Sequence, residues 1–378
     1  MNWSFKIARA SGIDIRVHVT FLLIVLLGAS QFARFGARGL LFGSALILLL
    51  FLCVTLHELG HSVVAQRFGV QVRQIVLLPI GGVAMMERIP RNPWQELWIA
   101  LAGPIVNVVI AGALALGLVV RSQLTGVSFE QLLNLGGETP SIGLLLRWLM
   151  NANIVLVIFN MVPAFPLDGG RVFRALLAMK LPYARATAVA SGVGQFLALL
   201  LGTYGLMSHQ WLLALVALFI FFGAGAENVE GRARAVLSGH RVGEAYNRRA
   251  VTLVPTEPLQ TVIDHILTSY QPDFAVTDGR DQLLGVVTRG DVIRALSHGT
   301  GAVSVGQVMH PASLRVSADQ TLEQVREALG ESGQRLAAVY DGDQFLGLVS
   351  REDIDEAYAV LQFTDRDRQR TPEGGVIV

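Results

Sequence analysis

Most of the apolar runs in this 378-residue chain are too long to be core helices of a water-soluble domain. A helix crossing a bilayer needs about 20 apolar residues, and more if it tilts. Runs of that kind, with soft ends, lie at about 19–33, 39–66, 96–120, 146–163, 186–207 and 210–226. They predict six spans. Composition agrees, with 52% of residues hydrophobic and 16% charged, against about 25% charged in a typical soluble domain. A net charge of +1 makes no case for nucleic acid, and the single Cys53 excludes an internal disulfide. No secretory signal peptide is expected, because the polar, basic start leads into an apolar run without a small-residue cleavage site.

Lys and Arg set the expected orientation. With the N-terminus in the cytoplasm, the inside segments hold Lys6, Arg9 and Arg16, then Arg67, Arg73, Arg88 and Arg91. Arg171, Arg174, Lys180, Arg185, Arg232, Arg234 and Arg241 follow on the same side. Only Arg34, Arg38, Arg121 and Arg147 fall outside. Both termini are therefore expected in the cytoplasm of a multi-pass cell-membrane protein.

Within the second run stands "HELGH", residues 57–61. Ionisable groups at membrane depth are unfavourable unless they serve a purpose. His57 and His61 are four residues apart, so on a helix they share a face and can address one metal ion. Glu58 flanks that face, where a carboxylate can take a proton from water. Catalytic zinc has three protein ligands as a rule, which leaves one ligand to find elsewhere. Asp168 stands out, in "FNMVPAFPLDGGRVF" (159–173). There Pro163 and Pro166 break the helix, Gly169 and Gly170 permit a tight turn, and irregular backbone at this depth belongs beside a cavity. Asn160 is a second polar group close by. The segment 70–89, partly alternating and with a Gly-Gly, reads as a membrane-associated β-hairpin.

These motifs resemble those of the site-2 protease family of intramembrane zinc metalloproteases. HELGH pairs with Asn160-x-x-Pro163-x-x-Pro166-Leu167-Asp168-Gly169, while "AGPIVN" (102–107) and "LLPIGGVAMM" (77–86) also look like family motifs. The resemblance covers about residues 1 to 225. It implies zinc held by His57, His61 and Asp168, Glu58 as general base, and Asn160 and Asn107 orienting substrate or oxyanion. It also implies a membrane-spanning protein substrate, such as an anti-sigma factor, a membrane-tethered regulator or a signal-peptide remnant. An exposed hairpin edge would suit an unwound substrate.

Plainer readings stand beside these. Asp168 is well placed to cap the helix that follows it, Asn107 to join two helices, and Gly103-Pro104 to kink one. Cys53 reads as small apolar filler. His18, His209, His240, His265, His298 and His310 show no partner pattern.

Beyond about residue 228 the charged fraction rises and a repeat appears. Residues 259–296 match 322–358, with Leu259, Asp278 and Gly285 answering Leu322, Asp341 and Gly347. Each copy reads helix, strand, Asp-Gly turn, strand, helix. The Gly-x-x-Thr/Ser-x-x-Asp spacing resembles a pair of cystathionine-β-synthase (CBS) domains. That implies adenine nucleotide as a ligand, with Thr288 and Ser350 contacting phosphate or ribose and Asp291 and Asp353 the ribose hydroxyls, and a homodimer through the pair. The expected fold is a membrane α-helical unit with a small membrane-associated β-hairpin, followed by a cytoplasmic α/β CBS pair. Expected boundaries are 1–227 for the membrane unit, 228–244 for a linker, 245–300 and 301–362 for the two copies, and 363–378 for a disordered tail. The expected activity is regulated intramembrane proteolysis under nucleotide control. A CBS-gated metal-ion transporter or channel is the alternative, although the membrane half lacks the internal repeat common in transporters.

Overall fold

The computed structural model describes residues 3–79, 81–86, 92–126, 139–246, 250–269, 271–279, 282–299, 303–312 and 314–370. It divides into two compact units, Met1–Gly231 and Arg232–Val378. In the first, strands β1 (Ser4–Ala10) and β2 (Ile13–His18) precede helices α1 (Phe21–Gln31) and α2 (Gly36–Arg67). Strands β3 (Val72–Leu78) and β4 (Gly81–Met86) follow. Then come α3 (Pro93–Thr125), α4 (Ile142–Asn160), α5 (Asp168–Ala178), α6 (Tyr183–Met207) and α7 (Trp211–Ser238).

The expected hairpin exists, but as half of a four-stranded sheet ordered β1-β2-β3-β4. β2 runs parallel to β3, pairing Asp14 with Gln74 and Val17 with Leu77. Parallel neighbours need a crossover. Here α1 and α2 supply it, so the chain leaves the sheet along α1 and returns along α2. Ile13, Ile15, Val72, Ile75 and Leu77 pack against Phe51 and Ala65 of α2 and Ile99 of α3, and join the sheet to the helices.

Five helical segments among the described residues are long and apolar enough to cross a membrane: Ala33–Arg67, Pro93–Thr125, Ile142–Asn160, Tyr183–Met207 and Trp211–Ser238. The first expected span is shorter than foreseen. It forms the 11-residue α1, about 16 Å at 1.5 Å per residue, and ends in a 3-10 turn at Ala33–Phe35. Phe21 meets Phe51 edge-to-face at 4.6 Å, which holds this short leg on α2. Arg147, expected in an outer loop, is buried within α4. Arg88 and Arg91 lie outside the described residues.

The second unit contains the two copies as two three-stranded sheets, each a parallel pair extended by one antiparallel strand. The first copy has β5 (Thr252–Leu253), α9 (Leu259–Thr268), β6 (Asp273–Thr277), β7 (Leu283–Thr288) and α10 (Arg289–Ser297). The second has β8 (Arg315–Ser317), α12 (Leu322–Ser332), β9 (Leu336–Asp341), β10 (Gln344–Ser350) and α13 (Arg351–Arg370). A short helix leads each copy, α8 (Val242–Ala245) and α11 (Val305–Val308), and the two are exchanged. Val242, Ala245 and Tyr246 enter the second copy's core, while Val305, Val308 and Met309 enter the first. Residues 228–238, expected in a linker, are the end of α7. Residues 363–370, expected in a disordered tail, continue α13 beyond its last core contact at Leu361. Residues 371–378 lie outside the described residues.

Candidate metal centre

α2 presents His57 and His61 on one face, and both are buried. Their Nε2 atoms are 3.1 Å apart, and each lies 3.2 Å from Oδ2 of Asp168. Asp168 is the first residue of α5, and no side chain caps that helix. Its carboxylate goes to the imidazoles rather than to the backbone, which decides against the capping reading. Three ligands at about 2.0–2.1 Å from one zinc, at tetrahedral angles, would stand about 3.3 Å apart. The His57–His61–Asp168 triangle has those edges, and it is the metal-type cluster found among the described residues.

The hydrogen bonding fits as well. His61 donates from Nδ1 to the carbonyl of Ile99 at 2.6 Å, which fixes the ring and leaves Nε2 as the atom turned to the site. Nε2 and Oδ2 of Asp168 face each other at 3.2 Å, as two ligand atoms of one ion would. The donor set, two imidazoles and one carboxylate, is one that zinc takes.

Two glycines make the approach possible. A Cβ on Gly103 of α3 would overlap Nε2 of His61, so this residue is the contact surface for the imidazoles and more than a kink. A Cβ on Gly82 of β4 would come within 2.6 Å of Cγ of Glu58. Gly169 and Gly170 have helical backbone and serve instead to let α5 lie against residues 161–165.

A cavity of about 540 Å³ opens on the triangle. His57, Glu58, His61, Asn107, Asn160, Asp168 and Arg171 all reach it, and Gly81 to Ala84 of β4 form one wall. Every site residue expected from the membrane half is therefore gathered in one place. Asn107 is fully buried with neither amide atom bonded among the described residues, a donor and acceptor without protein partners.

Beside the cavity is a network that the sequence reading missed. Arg174 of α5, expected as a loop charge, is 2% exposed and binds Glu96 of α3 through Nε at 2.7 Å. It also pairs with Glu227 of α7, and its guanidinium lies over the rings of Phe165 and Tyr183. The available signal was two isolated acids at the ends of apolar runs.

In the second unit, Thr288 and Asp291 form a capping box on α10, with the Thr288 hydroxyl 2.6 Å from the carboxylate. Ser350 and Asp353 bond in the same way at the start of α13. The copies then differ. His310 reaches Asp291 at 3.0 Å and Arg294 does so at 3.2 Å, a role for His310 that its sequence context did not suggest. Burial opposes the charge, but the Thr288 bonds, with His310 and Arg294 alongside, hold the Asp291 carboxyl below the usual carboxylate range. Asp353 receives only its capping bonds among the described residues and lines a cavity of about 470 Å³ with Tyr246 and Leu322.

Fold and site together define a membrane-embedded metallopeptidase, and comparison with known proteins gives the family. Residues 45–201 match Peptidase family M50, and residues 242–298 and 305–360 each match the CBS domain. The chain belongs to family M50, the site-2 protease type of zinc metalloprotease, and carries a CBS pair. It is 32% identical over 367 residues to Zinc metalloprotease MJ0392 of Methanocaldococcus jannaschii, covering 97% of this chain and 99% of that protein. Stage IV sporulation protein FB of Bacillus subtilis is 28% identical over 242 residues, 62% of this chain and 77% of that one. Among solved structures, the Site-2 Protease from Methanocaldococcus jannaschii is 39% identical, covering 60% of this chain and 95% of that one, with a TM-score of 0.42. Membership of a peptidase family sets aside the transporter alternative.

Proposed function

We propose that this zinc metalloprotease hydrolyses peptide bonds in the membrane-spanning segments of tethered protein substrates, at the cavity shared by His57, Glu58, His61 and Asp168. The observation that carries this is the convergence of three zinc-type donors, one unbonded carboxylate and two asparagines on a single cavity walled by apolar helices. His57, His61 and Asp168 are the residues that would hold the metal. Zinc, when bound there, supplies a Lewis acid and makes water a stronger nucleophile at neutral pH. Glu58 takes the proton from the attacking water and passes it to the leaving amine. Asn107 and Asn160 donate to the carbonyl oxygen as charge gathers on it. β4 is an edge strand whose Gly81–Ala84 segment faces the cavity, so an unwound substrate can bind as a further strand.

The Lys and Arg distribution supports a cytoplasmic side for the sheet, and with it for the mouth of the site. The parallel pairing of β2 with β3 supports the same side for both segments. The CBS pair then lies in the cytoplasm, where adenine nucleotide is its expected ligand and self-association of two copies its expected contact. Asp353 with Ser350 is the better candidate for a ribose, because Asp291 with Thr288 is already engaged by His310 and Arg294. Candidate substrates are membrane-tethered regulators, anti-sigma factors and signal-peptide remnants.

The test is a comparison of membrane-protein fragments in cells carrying the wild type or Glu58→Gln. Single-span fragments cut within the span should appear with the wild type alone. Identical fragment sets would refute the proposal. A reporter fused at Ser208 should behave as external and one at Gly239 as internal.

A further inference from the structure

α5 carries three polar residues at successive helical spacings, Asp168, Arg171 and Arg174, and two of them are accounted for. Asp168 meets the imidazoles, and Arg174 is enclosed by Glu96, Glu227 and two aromatic rings. Arg171 is half-buried and lines the same cavity as Glu58. No hydrogen bond or ion pair reaches it among the described residues. Of the nearby carboxylates, Glu96 and Glu227 are engaged by Arg174 and Asp168 by His57 and His61, while Glu58 shares the cavity and the field of Arg171 without bonding to it and is reserved for the attacking water.

A guanidinium offers a rigid fork of N–H donors that matches a carboxylate, and a half-buried one gains by finding that match. With a divalent ion in the triangle, Asp168 and Glu58 balance its charge and Arg171 remains in excess. The cavity as a whole therefore favours an anion. We infer that Arg171 is a specificity-determining residue that pairs with an acidic side chain of the substrate, Asp or Glu, close to the bond cut. Its place inside the cavity, beside Glu58 and not on the lipid-facing surface, favours a peptide carboxylate over a lipid headgroup. This rests on the reading of the cavity as the peptidase site.

The test uses full-length, zinc-loaded protein in vesicles of neutral phosphatidylcholine. Single-span model peptides are offered in sets that differ only by Glu, Gln or Lys at one position flanking the bond cut, which mass spectrometry locates. At one position the wild type should prefer Glu to Gln by about tenfold in kcat/KM, the scale of a charge-assisted bond. Arg171→Gln should bring that ratio close to one, Arg171→Lys should keep part of it, and Arg171→Glu should favour Lys. Binding of the Glu and Gln peptides to Glu58→Gln protein should show the same preference without turnover. Equal treatment of the three peptides by the wild type, in cleavage and in binding, would overturn the inference while leaving the peptidase reading intact. So would rates that follow added anionic lipid in place of the peptide residue. If no peptide is cleaved but the binding preference holds and vanishes in Arg171→Gln, the peptidase reading fails and the carboxylate site stands.

Discussion

Gly103 and His61 belong to different helices, yet a single methyl group on Gly103 would overlap the Nε2 atom of His61 and come within 2.8 Å of His57. α3 thus lies directly against the Nε2–Cε1 edge of His61 and Cε1 of His57, and the carbonyl of Ile99, one turn earlier on the same helix, accepts a hydrogen bond from His61 Nδ1. Gly103→Ala should push both rings out of position. We expect zinc affinity to fall by about 10–100-fold, the range for a disturbed supporting shell, as measured by metal content after dialysis against graded chelator. Full zinc content in that variant would mean the rings can move without consequence.

Glu58→Gln should separate binding from chemistry. It leaves the His57–His61–Asp168 triangle untouched, so metal content stays at one zinc per chain. Hydrolysis should fall by about 10²–10⁴-fold, the usual contribution of a general base. His57→Ala should lose both metal and activity. Atomic absorption and peptide cleavage on the same samples decide the matter.

The Glu96–Arg174–Glu227 group is buried and ionic, and removing one member strands the others. Arg174→Ala should destabilise the membrane unit by about 3–5 kcal/mol, visible as a lower melting temperature in detergent. Replacing Arg174, Glu96 and Glu227 together by apolar residues of similar volume should restore much of the loss. If the single variant melts like the wild type, the group is not structural.

The two repeats should differ in ligand binding. Asp353→Ala should abolish adenine-nucleotide binding by the full-length protein in calorimetry, whereas Asp291→Ala should affect mainly stability, by about 1–2 kcal/mol through its helix cap. Because the Asp291 carboxyl is held below its usual range, its contribution is present above the unfolded value near pH 3.8 and is lost as pH falls below it. Binding that survives Asp353→Ala would place the ligand elsewhere. For control of proteolysis, the nucleotide must bind two states unequally, so cleavage rates with and without ATP should differ. Unchanged rates would reduce the pair to a contact module.

Much of the centre was legible because its signals are local. The spacing of HELGH puts two rings on one face, and Asp168 was conspicuous for its chemistry at that depth. What escaped depends on distant partners. β1 and β2 read as a polar leader because Lys6, Arg9, Asp14 and Arg16 interrupt them, and only Ile13 and Ile15 are buried deeply. Their partner β3 comes after two helices, so nothing nearby announces the pairing. Arg174 looked like an inside charge because counting Lys and Arg by position cannot see Glu96 in another helix. His310 was silent for the same reason, its partner Asp291 lying in the preceding copy. α1 has the composition of a full span, but its helix stops at Gln31, which composition does not reveal.

The pairing of β2 with β3 also orders the making of the protein. β2 leaves the ribosome before α1 and α2 exist, and the strand it needs emerges only after both have been synthesised. The edge of β2 that β3 will cover therefore stays unpaired until both helices and β3 have been made. Closure of the sheet comes after α1 and α2 in chain order, so β4, which walls the cavity, gains its three-strand backing only once the chain has returned along α2.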